Sequence, residues 1–300
     1  MILLNKIIIS ALPLLPKRLV KIFSNRYVAG INYKQALEVI KTLNQDNQLA
    51  TIDILGEHTK NKEESIKVTS EYINLLNQIN DKQLDCNLSI KPSHIGSDMG
   101  YDIVFSNFKK ILKKSSETNN FIRIDMESSA LTDTTINLYN NLKSISNDIG
   151  IVFQAYLHRT KNDIENLKKG SNIRLCKGIY KESENIAYQK NEEINKNYLK
   201  LLKIAFEKEI YVGIATHDKE LIKESIKLIN ELEINSDMFE FQYLYGVPME
   251  DDIKTYHRNN FKIRSYVPFG REWYEYSIRR IKENPKIASY VIKNIFSKRT

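Results

Sequence analysis

Three residues near the end of the chain carry the most chemistry for their spacing. Tyr276, Arg279 and Arg280 stand at i, i+3 and i+4 in Tyr274-Glu275-Tyr276-Ser277-Ile278-Arg279-Arg280, just behind the turn Val267-Pro268-Phe269-Gly270. On a helix these positions share one surface. Two adjacent guanidiniums repel unless an anion lies between them, and a carboxylate accepts paired hydrogen bonds from each fork. Arg-Arg beside Tyr is also a common solvated face. What decides between the two is where the helix sits in the chain.

A second set of polar groups recurs at intervals: Lys91; Asp125-Met126-Glu127; Gln154 and Tyr156; Arg174 with Lys177-Gly178-Ile179-Tyr180; Thr216-His217-Asp218; Gln242 with Tyr245-Gly246; Arg264 and Tyr266. Each alone has an ordinary explanation. Asp125 could cap a helix, His217 could be a satisfied half-buried imidazole, and Lys177 could reach out to water. Together they are rich in cations (Lys91, Arg174, Lys177, Arg279, Arg280) and poor in carboxylates, which calls for anionic ligands. A phosphate-bearing cofactor with a carboxylate substrate fits. No carboxylate pair suggests glycoside hydrolysis, no nucleophile stands beside a base, and no His or Cys cluster has metal-ligand spacing. The hard chemistry then belongs to a cofactor.

The elements that must position these groups alternate along the chain. Short β-rich runs occur at Leu49–Leu55, Cys86–Ile90, Phe121–Asp125, Ile151–Leu157, Ile173–Cys176, Ile210–Ala215, Phe239–Leu244 and Phe261–Val267. Longer segments with helical periodicity lie between them. In Ser65–Ile79, Ile66, Thr69, Ile73, Leu76 and Ile79 fall on one face, and Asn197–Phe206 and Lys219–Leu232 read the same way. Eight strands, each followed by a helix, predict parallel pairing closed into a (βα)8 barrel. An open dinucleotide-binding sheet is disfavoured, because Gly56-Glu57-His58-Thr59 rather than a G-x-G-x-x-G run follows the first strand. Every polar group above then sits at a strand's C-terminal end, where a barrel's site is built. Residues 1–48, with a helix from Tyr33 to Leu43, form a helical prelude to the barrel of 49–300.

Composition agrees with one large folded domain: 42% of the 300 residues are apolar and no low-complexity stretch occurs. The 45 basic residues against 37 acidic give a net charge of +8. The Lys residues are dispersed among Asn and Ile, without the aromatic-plus-basic module of a nucleic-acid binder. Cys86 and Cys176 are unpaired thiols suited to a reducing compartment. Met1–Leu15 is apolar but is interrupted by Pro13 and has neither the charged start nor the cleavage site of a signal peptide. It is too short to span a bilayer. An amphipathic helix continuing through Lys17–Phe23 either packs on the main domain, which is favoured, or touches a membrane surface.

The ordered set of motifs resembles the proline dehydrogenase family in its short, monofunctional bacterial form. It comprises Ser89-Ile90-Lys91-Pro92, Ile122-Arg123-Ile124-Asp125-Met126-Glu127, Arg174-Leu175-Cys176-Lys177-Gly178-Ile179-Tyr180, Ala215-Thr216-His217-Asp218, Phe239–Gly246, Tyr266–Gly270 and Trp273–Arg280, from about residue 25 to near Pro285. The resemblance implies a distorted (βα)8 barrel that uses FAD to oxidise L-proline to Δ1-pyrroline-5-carboxylate, the first step of proline degradation. Electrons would pass to a membrane quinone, so the enzyme would be cytoplasmic with peripheral contact at the inner face of the cell membrane. It implies that Arg279 and Arg280 hold the proline carboxylate with Lys91 assisting, that Tyr266 and Tyr276 wall the ring, and that Asp125 is the site acid. Arg174 corresponds to the arginine near flavin N5. Met126, Gln154, Lys177, Gly178, Ile179, Tyr180, Thr216, His217, Gln242 and Glu283 match cofactor-side positions. Ile179 stands where the family usually has Ala, and Cys176 where Val is common.

Two other readings compete. Another flavin- or phosphate-binding barrel, such as a methylenetetrahydrofolate reductase-like protein or an aldolase, is the first; an aldolase would need a Schiff-base Lys on strand 6, where this chain has Ala215-Thr216-His217. The second is a basic membrane- or nucleic-acid-binding protein without catalysis, which would show no chromophore and strongly salt-dependent binding.

Overall fold

The computed structural model describes residues 17–283. Its eight strands are β1 (Leu49–Ile54), β2 (Cys86–Ile90), β3 (Ile122–Ile124), β4 (Ile149–Gln154), β5 (Asn172–Cys176), β6 (Tyr211–Ala215), β7 (Phe239–Leu244) and β8 (Ile263–Phe269). All neighbours pair in parallel, and β8 closes on β1 with Leu49 beside Arg264 and Ile54 beside Phe269. The expected (βα)8 barrel is what forms. The strands are buried on both faces, as sheets wrapped by helices must be.

Helices α1 (Lys17–Tyr27) and α2 (Tyr33–Gln45) precede the barrel. Around it run α3 (Lys62–Asp81), α4 (Tyr101–Glu117), α5 (Thr132–Lys143), the short α6 (Thr160–Glu165), α7 (Asn191–Glu207), α8 (Lys219–Glu231), α9 (Glu250–Arg258) and α10 (Trp273–Glu283). Local chemistry sets several starts. Asn61 Oδ1 accepts from the Glu64 N–H at 2.8 Å to begin α3, and Asp218 Oδ1 accepts from the Leu221 N–H at 3.3 Å to begin α8.

The distortion from a regular barrel lies in the first and last helices. α2 packs against both β1 and β8, the outer place that a helix following β8 ordinarily takes. α10 is thereby displaced and packs on α1, with Lys17 Nζ 5.4 Å from the centre of the Tyr274 ring and Val20 fully buried. The amphipathic helix expected through Lys17–Phe23 thus packs on the folded body. Met1–Leu15 lies outside the described residues.

Four sequence expectations are corrected. On α3 the buried face is Ser65, Val68, Thr69, Tyr72, Leu75, Leu76 and Ile79, while Ile66 is 43% exposed. The expected stripe lay too far round, because Ser65 and Tyr72, left out of it as polar, are buried with hydrogen-bond partners. β4 ends at Gln154 rather than Leu157, since the chain turns there and Leu157 donates its N–H back to the Gln154 carbonyl at 3.3 Å. β8 runs on through Pro268 to Phe269, two residues past the expected end. Arg264 is not at a strand's C-terminal end. It sits near the start of β8, where Nε donates to Glu240 Oε1 at 2.7 Å inside the barrel.

Candidate active site

Period-two alternation puts polar residues on successive inward positions of several strands: Thr51 and Asp53, Ser89 and Lys91, Arg123 and Asp125, Glu240 and Gln242, Arg264 and Tyr266. The interior is therefore polar, and above it, at the strands' C-terminal ends, opens a cavity of about 420 Å³. That size lies within the range of small-molecule sites.

The cavity floor is a hydrogen-bonded group spanning opposite strands. Arg174 Nη1 donates to Asp125 Oδ1 at 2.9 Å and to Ser89 Oγ at 3.0 Å, and Ser89 Oγ donates to Asp125 Oδ1 at 2.5 Å. Tyr266 donates its hydroxyl to Asp125 Oδ2 at 3.0 Å, and its ring lies 5.0 Å from the Arg174 guanidinium. Burial and the Asp125 charge push the Tyr266 phenol well above its ordinary pKa, so it remains a donor. Beside this group Lys91 Nζ meets Asp53 Oδ2 at 2.8 Å. Burial raises the Asp53 pKa. It works against the Lys91 ammonium too, but Asp53 and Asp125 outweigh it and hold Lys91 above the usual lysine value.

The opposite wall comes from β5, β6 and β7. Lys177 Nζ pairs with Asp218 Oδ2 at 2.6 Å. Burial opposes the Asp218 charge, yet the bonds from Lys177 and Asn195 bring its carboxyl down to about 2. Gly178 has φ +112°, and a Cβ there would come within 2.2 Å of the Tyr156 ring. Only glycine lets the backbone settle on that ring. His217 is lowered to about 4 by burial and by Arg280, so it is neutral at pH 7. Its Nε2 accepts the Leu244 N–H at 2.9 Å, which assigns the ring proton to Nδ1. From α10, Tyr276 and Arg280 close the mouth, the guanidinium 5.1 Å from the Tyr276 ring.

Almost every residue singled out from the sequence lines this one cavity: Asp125, Arg174, Lys91, Tyr266, Tyr276 and Arg280, together with Met126, Gln154, Lys177, Gly178, Ile179, Tyr180, Thr216, His217 and Gln242. The side chains of Arg279 and Glu283 lie outside the described residues. Tyr156 serves as the bed for Gly178, and Glu127 accepts from Ser93 N at 2.9 Å and from the Ser93 hydroxyl. Gly246 packs on the backbone of Arg26 instead of facing the cavity.

Two expectations about charge change. Three of the cations are already matched by carboxylates, so among the described lining residues four cations face three aspartates, a smaller surplus than the strand ends suggested. Asp53 was missed altogether. Its signal was a lone aspartate in the apolar run Leu49-Ala50-Thr51-Ile52-Asp53-Ile54. Ser89 was quoted within a motif without a role, because nothing local reveals that it bridges an arginine and an aspartate from two other strands.

The donor set fits a flavin nucleotide. Lys177, Thr216 and the Nδ1–H of His217 are donors suited to phosphate or carbonyl oxygens. Gln154 Oε1 is buried on the cavity wall with no hydrogen-bond partner among the described residues, an acceptor awaiting an N–H from a ligand. Val152 and Leu244, on inward positions of their strands, supply apolar surface for a flat ring system.

Comparison with known proteins places this geometry. The family model for proline dehydrogenase matches residues 36–293. Proline dehydrogenase 1 of Bacillus subtilis subsp. natto is 34% identical over 276 residues, which cover 92% of this chain and 91% of that one. The proline dehydrogenase of Deinococcus radiodurans is 30% identical over 91% of this chain and 89% of its own. Among solved structures, proline utilization A of Bdellovibrio bacteriovorus matches 87% of this chain with a TM-score of 0.80 at 23% identity. The chain spans 32% of that longer protein, and the likeness is one of fold.

Proposed function

This chain belongs to the proline dehydrogenase family, and on that premise we propose that it oxidises L-proline to Δ1-pyrroline-5-carboxylate with FAD seated in the barrel-mouth cavity. When bound, FAD supplies the acceptor, at N5, for the hydride that leaves C5 of the substrate. The observation that carries the reading is the position of α10: Tyr276 and Arg280 face the Asp125–Arg174–Tyr266 group across a single cavity.

The protein's part is orientation and electrostatics. Arg280, with Arg279 beside it in sequence, takes the substrate carboxylate. Lys91 brings a charge already shared with Asp53, so its assistance is secondary. Tyr266 and Tyr276 wall the pyrrolidine ring. Asp125, held by Arg174, Ser89 and Tyr266, is the site acid that faces the reacting amine. Arg174 favours negative charge on the cofactor side of the floor. Met126, Gln154, Lys177, Gly178, Ile179, Tyr180, Thr216, His217, Gln242 and Glu283 hold the cofactor. The substrate's ammonium must lose its proton before or during hydride loss, so flavin reduction rises with pH between 6 and 9 in this reading. Electrons then pass to a quinone at the inner face of the cell membrane, with the protein a cytoplasmic enzyme in peripheral contact. Support for that last step is the family resemblance. No helix among the described residues is long and apolar enough to cross a membrane.

The visible spectrum of the purified protein tests the reading. A flavin spectrum that bleaches on anaerobic addition of L-proline is expected. A colourless protein, or a flavin indifferent to L-proline, would sink it and return the aldolase and non-catalytic alternatives to contention.

A further inference from the structure

Below the cavity floor the hydrogen bonding continues down the barrel as one line. Arg174, bound to Asp125 through Nη1, donates from Nε to Gln242 Oε1 at 2.5 Å. Gln242 Nε2 donates to Glu240 Oε1 at 2.5 Å, and the same oxygen accepts from Arg264 Nε at 2.7 Å. Arg264 Nη1 ends the line on the Ala50 carbonyl at 2.7 Å. Gln242 is 5% exposed and Glu240 only 1%, and Glu240 does not line the cavity.

The chemistry of this line is directional. A glutamine amide has an acceptor end and a donor end of nearly equal shape, and its neighbours decide which way it points. Arginine offers only donors and an ionised carboxylate only acceptors. Between Arg174 above and Glu240 below, a single orientation of the Gln242 amide satisfies both. Burial opposes the Glu240 charge, but Arg264 and the bond from Gln242 outweigh it and hold this carboxyl below its ordinary pKa. The fit is also steric. Gly213 lies beside Glu240 in the β6–β7 pairing, and a Cβ on Gly213 would approach Gln242 Nε2 to 2.3 Å. β6 therefore leaves a notch for this amide.

We propose that Glu240, backed by Arg264, is a positioning residue for the oxidation. It locks the Gln242 amide so that its oxygen holds Arg174 against Asp125, and so sets how strongly that guanidinium favours the reduced, anionic flavin. The inference rests on FAD occupying the cavity with Arg174 on its reactive side, as argued under Proposed function.

Two variants disturb the line by different means. Gly213→Ala drives a methyl into the amide and changes no charge. Glu240→Gln, made together with Arg264→Met so that Arg264 is not left without its carboxylate, removes the acceptor-only end and frees the amide to turn over. The flavin midpoint potential, visible spectrum, thermal stability, kcat and KM are measured on holoenzyme, after the wild-type spectrum has been recorded. Both variants are expected to make flavin reduction about tenfold less favourable, about 30 mV for a two-electron couple, with a similar loss of kcat. KM for proline should stay within about twofold, because the carboxylate clamp is untouched. A purely structural role lowers thermal stability and leaves potential and kcat alone. Flavin-loaded variants with wild-type potential and kcat overturn the positioning role. A wild-type protein without flavin overturns the functional reading, and the positioning role with it.

Discussion

Arg280 reaches the cavity from a helix, whereas Asp125, Arg174, Lys91 and Tyr266 sit on or directly after strands. Substrate hold and floor chemistry are thus separable by mutation. Arg280→Met should raise the KM for proline about thirty- to a thousandfold, since leaving a buried carboxylate unmatched costs about 2–4 kcal/mol. Flavin content should barely change. Loss of flavin with proline affinity intact would reverse the assignment. Which residue types stand at the site was legible in the chain, because each lies on or just after a β run or on the Tyr-Arg face of the last helix. Which of them pair was not. Lys91 was expected to assist at the substrate carboxylate, and only the fold brings Asp53 of β1 against it.

At the scale of elements, the exchange of places between α2 and α10 shapes the site. By filling the gap outside β1 and β8, α2 leaves the last helix to cover the mouth. The seam that carries this arrangement passes through Gly246, after β7. Arg26 Nε, at the end of α1, donates to the Gly246 carbonyl at 3.0 Å, and a Cβ on Gly246 would fall 1.7 Å from the Arg26 carbonyl oxygen. Gly246→Ala should therefore lower the urea midpoint by the equivalent of about 2 kcal/mol or more, combining left-handed strain with the clash. Gly170→Ala is the control: its φ is also positive, +75°, but nothing lies within 4 Å, so only about 1 kcal/mol of strain is expected. Equal losses in the two variants would mean that the contact with α1 carries no stability. The helical periodicity of both α1 and α10 was visible in the sequence. Their mutual packing was not, since the face an amphipathic helix buries does not name its partner.

Across the whole molecule, two buried imidazoles tie stability to pH. Burial, with Arg280 near the one and Lys91 near the other, lowers His217 to about 4 and His94 to about 3. In the unfolded chain both would take up a proton near pH 6.5. Below that pH the unfolded state binds more protons than the native one, so stability falls on acidification. The slope is about 1.4 kcal/mol per pH unit for each imidazole. His58, raised by its bond to Asp98, acts in the opposite sense, but it is largely exposed and its contribution is small. Resistance to urea should therefore weaken between pH 6.5 and about 5, in part offset by Asp53 and Glu127, whose carboxyls burial raises. A midpoint constant over that interval would mean the two rings are charged in the fold.

What the sequence determined by itself was the architecture and the inventory of the site. Strand and helix periods are local, and a barrel places whatever follows each strand at one end, so eight β runs with polar followers were enough to predict a closed barrel and most of its lining. What the tertiary structure alone decided was the wiring. Asp53 with Lys91, Ser89 between Arg174 and Asp125, Arg174 with Gln242, and α10 lying on α1 all join residues far apart in the chain. Such pairings depend on barrel stagger and helix placement, which set distances in space that no one-dimensional period encodes.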